Sequence, residues 1–153
     1  MTPDQVKLVQ DSFAKVAPIA SQAGDMFYAR LFEIAPEVRP MFPADITTQR
    51  DKLMQMLSTA VSNLHQVEII IPAVKELGKR HVGYGVQDAH YDVVGEALIW
   101  TLDKGLGEAF TPDVKEAWVD TYGTLASVMK SAAATMPPPQ AEKKSLFARM
   151  FGS

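Results

Sequence analysis

The chain has 153 residues, 47% hydrophobic content, a formal charge of −3 with both signs mixed along it, and no cysteine. That length supports one domain with a full core, and the lack of cysteine excludes disulfides, thiolate metal sites and cysteine nucleophiles. No apolar run approaches the roughly 18 residues of a membrane span, no secretory h-region opens the chain, and the charge balance gives no nucleic-acid footprint, so a soluble, cytoplasmic protein is expected.

Thr2-Pro3-Asp4-Gln5 predicts a helix start. Thr2 caps, Pro3 fits the first turn, and Gln5 completes a capping-box spacing. Val6, Val9, Phe13 and Val16 then recur at helical spacing. After a break near Pro18, a second helix from about Ser21 to Ile34 carries Gly24, Phe27, Tyr28, Leu31 and Phe32 on one side. "APEVRPMFP", Ala35 to Pro43, holds three prolines and predicts only a short helix or turn. From Thr48 onward, Leu53, Leu57, Val61 and Leu64 predict a long amphipathic helix. Val67 to Ile71 has strand propensity, but its flanks predict an interhelical corner, with Pro72 opening the next helix. That helix carries Val74, Leu77, Gly78 and His81 on its inner stripe. Tyr91, Val94, Gly95, Leu98 and Leu102 mark another, and Thr111-Pro112 caps the last, which faces inward with Val114, Trp118, Tyr122, Leu125 and Met129. No stretch sustains strand-like alternation, so the expected fold is all-α, with about six long helices. Residues 1–136 form the expected domain. Residues 137–153, "PPPQAEKKSLFARMFGS", form an expected flexible tail, basic and carrying Leu146, Phe147, Met150 and Phe151.

The three histidines are His65, His81 and His90. His81 lies on the inner stripe, just before Gly83-Tyr84-Gly85. The ordinary use of such a residue is a core imidazole bonded to a backbone carbonyl. His65 follows Gln49 by sixteen residues on the same predicted helix, about 24 Å along its axis, so those two cannot share a small site. Scattered histidines without cysteine do not make a zinc site, which needs three or four clustered ligands. A cofactor asking for one protein ligand fits better, and haem is such a cofactor. Its walls must be apolar. Leu77, Val86, Val94, Leu98 and Met129 are candidates for the histidine side, and Phe42 for stacking on the ring; each is equally at home in an ordinary core.

Two stretches carry a family resemblance: "FYARLFEIAPEVRPMF", Phe27 to Phe42, and "IPAVKELGKRH", Ile71 to His81, followed by "GVQDAHYDVVG" and by Trp118, Tyr122 and Gly123. Together they resemble the globins, specifically the single-domain bacterial haemoglobins close to the globin domain of flavohaemoglobins. The resemblance covers about Thr2 to Met136. It implies the three-over-three helical sandwich of six to eight helices and haem b as cofactor. It also implies that His81 is the proximal iron ligand and that Phe42 packs on the haem.

The same resemblance places Tyr28, Gln49 and Leu53 on the distal side. Gln49, thirty-two residues before His81, matches the position of the distal histidine of vertebrate oxygen carriers. Leu53 lies one turn further on, and Tyr28 matches a position pointing into the distal pocket from the second helix. A neutral phenol and a neutral amide both donate hydrogen bonds, so the pair implies tight, slowly released O2. In flavohaemoglobin-like globins a tyrosine matching Tyr91 and a glutamate support the proximal histidine. The acidic position falls here on Ala133, which weakens the implication of peroxidase-like chemistry. Reversible binding of O2, and of NO and CO, at a pentacoordinate haem is therefore the expected function. The alternatives are an NO dioxygenase served by a separate reductase, since no dinucleotide-binding glycine motif is present, and a redox or gas sensor. A monomer or homodimer without nucleic-acid contact is expected, with membrane contact only through the tail.

Overall fold

The computed structural model describes residues 2–83 and 88–134, with 81–83 and 88 described as backbone alone. Gly83–Gly85 in part, Val86, the side chain of His81 and the segment 137–153 therefore lie outside the described residues.

The capping box forms at the start of α1 (Pro3–Val16): the Gln5 amide donates to the Thr2 hydroxyl, and the Thr2 amide to Gln5 Oε1, both at 3.1 Å. The break at Pro18 is a 3₁₀ turn, Ala17–Ile19, leading into α2 (Ala20–Ile34). The proline-rich corner winds into a 3₁₀ segment, Pro36–Met41. After it come α3 (Thr47–Ser62), a 3₁₀ turn (Leu64–Gln66), α4 (Val67–Gly83), α5 (Asp88–Leu106) and α6 (Pro112–Ala133). Gly107, at φ +56°, ends α5 in the left-handed conformation glycine adopts without strain. The Thr111 hydroxyl then caps α6, accepting from the Val114 amide at 3.3 Å. The described residues hold no strand. No described helix is long and apolar enough to cross a membrane.

Helices α1, α3 and α4 lie against α2, α5 and α6, three over three, with α1 and α4 on α6 and α3 on α2. The core runs through Val9, Phe13, Phe27, Leu31, Leu98 and Trp118. Trp118 is 2% exposed, and its indole N–H donates to the Ser12 hydroxyl at 2.8 Å. Ser12 in turn donates back to the Leu8 carbonyl at 2.7 Å. The tightest crossing is at Gly78. A Cβ there would stand 2.4 Å from the Met129 carbonyl oxygen, and since backbone cannot yield, only glycine lets α4 approach α6 this closely.

Two sequence expectations change. Pro72 does not open α4; the helix begins five residues earlier, at Val67, and runs through the proline. Pro72 takes a donor only from the Glu68 carbonyl. Glu68 is exposed, so water can satisfy that group, while Ile70, 6% exposed, draws the segment onto the core. The second change is at the end of α3, which stops at Ser62. Asn63 Nδ2 donates to the Thr59 carbonyl at 2.8 Å and Gln10 Nε2 to the Val61 carbonyl at 2.9 Å. These bonds satisfy carbonyls that a continuing helix would use. Leu64 is buried and His65 exposed on the following turn, so His65 does not share a helix with Gln49.

Candidate functional site

Helix α2 crosses α3 at Gly24, against the aliphatic stem of Arg50. Arg50 ties the crossing electrostatically, to Asp25 of α2 at 3.2 Å, and also bonds Asp51 on its own helix at 3.0 Å. Tyr28 lies one turn beyond Gly24 on α2, and Gln49 directly precedes Arg50 on α3. Phe42, from the proline-rich corner, presents its ring edge-on to Tyr28 at 5.7 Å between centroids. Phe27 and Phe32 contact the same tyrosine at 5.0 and 5.9 Å. Tyr28 is 2% exposed. Burial alone pushes its phenol well above the ordinary tyrosine value, with no described charge or hydrogen bond offsetting it. The phenol therefore stays protonated, and remains a donor, throughout physiological pH.

Gln49 is 1% exposed. Its amide nitrogen and oxygen are both buried without a hydrogen-bond partner among the described residues. An unsatisfied buried polar group costs about 1–3 kcal/mol, which makes a buried glutamine with neither end satisfied an expensive element in a core position. Leu53, one turn further along α3, is partly buried and packs on the core.

Sequence reasoning missed Arg39. Its guanidinium lies 4.8 Å over the Phe32 ring and donates to the carbonyls of Phe42, Pro43 and Ala44 at 3.3, 3.0 and 3.1 Å. It thus closes the corner that presents Phe42 to Tyr28. The signal was available: a corner rich in prolines leaves carbonyls without partners, and one arginine sits inside it.

On the other side, the backbone of His81 belongs to the last turn of α4. Leu77, one turn earlier, is partly buried, and the backbone of Met129 meets α4 at Gly78. Val94 and Leu98 on α5 pack on the core. Tyr91 is buried; its carbonyl accepts from the Tyr122 hydroxyl at 2.6 Å, and the Lys130 ammonium lies 5.6 Å over its ring. Burial, with Tyr91 and Asp92 adding to it, pushes the Tyr122 phenol above its ordinary value. The structure thus joins Tyr28 to Phe42 on one side and α4 to Met129 on the other. Among the described residues α3 packs chiefly on α2, and α4 chiefly on α6, rather than on each other.

A six-helix, three-over-three sandwich whose third and fourth helices pack on opposite partners defines the class. The globin family model matches residues 25–129. The chain is 35% identical over 116 residues to a flavohemoprotein of Bacillus subtilis, an alignment covering 71% of this chain and 29% of that protein. A flavohemoprotein of Rhizobium meliloti is 30% identical over 128 residues, covering 78% of this chain and 32% of the relative. The chain thus spans about a third of the length of these relatives. In the solved bacterial globin of Campylobacter jejuni the fold recurs with a TM-score of 0.77 at 23% identity, over 88% of this chain and 97% of that one. The chain belongs to the globin family.

Membership implies a haem cofactor and supports haem-based binding of a diatomic gas. The residues present fit that group. The buried amide of Gln49, unpartnered among the described residues, and the buried, protonated phenol of Tyr28 offer neutral donors to a small polar guest. The aromatic and aliphatic side chains around them suit a flat apolar ring.

Proposed function

We propose that the chain binds O2 reversibly at haem b, for storage or delivery, within a domain spanning residues 1–136 of a cytoplasmic protein. When bound, haem would supply an iron that takes one imidazole nitrogen from the protein and binds a gas. His81 is the residue that donates that imidazole. Phe42 packs on the ring, and Leu77, Val86, Tyr91, Val94, Leu98 and Met129 line the pocket. Tyr28 and Gln49 donate hydrogen bonds to the gas, and Leu53 restricts the space beside it. A hydrogen bond to an acceptor that gains charge contributes about 1.5–3 kcal/mol, or roughly ten- to a hundredfold in affinity, expressed mainly as slower release. NO and CO would compete for the same cavity.

The observation that carries this reading is Gln49, 1% exposed with both ends of its amide unpartnered among the described residues. A core position selects against such a group, whereas a position that meets a polar guest requires one. The test is His81→Gly. The variant should lose bound haem and gas binding, and added imidazole should restore both. A fully coloured variant indifferent to imidazole would contradict the proposal.

The likeness to flavohemoproteins favours one second reading, in which a separate reductase supplies electrons and the chain consumes NO and O2 to give nitrate. Sustained NO consumption with an electron donor present, against a single stoichiometric burst without one, would distinguish it from simple carriage.

A further inference from the structure

A groove of about 1060 Å³ runs along α5 and α6, with Arg30 and Ile34 of α2 at its edge. Its floor is low where Gly123 and Ala126 face it; a Cβ at Gly123 would meet nothing within 4 Å. Its walls are apolar, with Ile99, Trp100, Phe110 and Tyr122, and with Val119, which is 47% exposed. Along the α5 rim stand Asp92, Glu96 and Asp103, spaced by four and seven residues and therefore on one face of the helix. The α6 rim carries Lys115 and Lys130, and Lys130 already pairs with Asp92 at 3.9 Å. Arg30, at the α2 side, is already engaged with Glu33 and lies over Trp100 at 5.1 Å.

One segment of the chain has the matching chemistry. Residues 140–153, "QAEKKSLFARMFGS", carry Leu146, Phe147, Met150 and Phe151, which share one stripe at helical spacing. Lys143, Lys144 and Arg149 against Glu142 make the segment basic. The chain leaves α6 at Ala133, beside Ser127 and Lys130, which line one end of the groove. The thirteen residues from Ala134 to Leu146, twelve Cα–Cα steps, reach about 40 Å when extended. The groove's length along α6, from Lys130 to Pro112, is about 27 Å, so the apolar stripe can reach any part of it.

We propose that the α5–α6 groove is the docking site of this chain's own segment 140–153, its apolar stripe laid on Trp100, Val119 and Tyr122 and its basic residues toward Glu96 and Asp103. The natural absence of cysteine makes the test direct. Val119→Cys is introduced into the full chain and its rate of maleimide labelling measured, then measured again with Phe147→Asp and Phe151→Asp added. Docking predicts labelling at least tenfold slower with the native segment than with the two aspartates. Ser127→Cys, at the other end of the groove, should show the same contrast, and Ser58→Cys on the exposed face of α3 should show none. Equal rates at Val119 and Ser127 in both backgrounds would overturn the proposal. So would protection that rises with protein concentration, which would assign the groove to a second copy. Rapid labelling throughout, with the segment instead binding vesicles of anionic lipid, would overturn it in favour of a membrane surface.

Discussion

Two buried polar sites in this core are built in opposite ways. At the α1–α6 contact, the Trp118 indole donates to Ser12 at 2.8 Å, and Ser12 passes its own hydrogen to the Leu8 carbonyl at 2.7 Å. Each donor has an acceptor. At the α2–α3 crossing, Gln49 is buried as deeply with neither end of its amide partnered among the described residues, and burial alone governs the Tyr28 phenol. The first pair contributes stability. At the second, the Gln49 amide costs stability in the protein taken alone, which makes sense where a guest molecule completes the hydrogen bonds. Polarity in a core is therefore informative only once its partners are counted.

Substitutions that treat the two sites alike should give unlike results. Trp118→Ala should cost most, about 3–5 kcal/mol in urea unfolding, because it empties a fully packed indole site. Ser12→Ala should cost about 2 kcal/mol by stranding the indole N–H. A cost near zero would mean the indole finds another acceptor, and the contrast would weaken.

Alkali gives a third comparison. Below about pH 10 the folded and unfolded chains both keep their tyrosine protons, so Tyr28 and Tyr122 add no pH dependence. Above it the unfolded chain releases protons that burial holds in the fold. Stability should then fall by about 1.4 kcal/mol per pH unit for each of the two. Tyr28→Phe should remove one such slope. The smallest effect has the opposite sign: Gln49→Leu should stabilise the haem-free chain by about 1 kcal/mol, since it removes unpaired groups without emptying the site. A loss of stability would show that the amide is satisfied in the fold and would merge the two sites into one kind.

Much of the fold was legible because it is local. The capping box at Thr2, the cap at Thr111 and the inner stripe of α2 all follow from residues within a turn or two of each other. The errors came where a distant partner decides. Pro72 reads as a helix start, yet burial of Ile70 extends α4 backward through it. The stripe of α3 reads as continuing to Leu64, yet Asn63 and Gln10 take its last carbonyls. The closeness of α4 and α6 at Gly78 depends on Met129, fifty-one residues away, and no local pattern announces it. At the candidate site, the globin resemblance singled out Gln49, but its depth and its lack of partners among the described residues are properties of packing. The Ser12–Trp118 bond, across 106 residues, was invisible for the same reason.

The most direct test of the central claim is the rate at which O2 leaves the protein when Tyr28 is replaced by Phe, measured by stopped-flow displacement with CO. The change deletes one hydroxyl and keeps the ring among Phe27, Phe32 and Phe42. Release ten- to a hundredfold faster than in the parent is the predicted result. An unchanged rate would contradict the account, because the buried phenol would then make no contact with the gas.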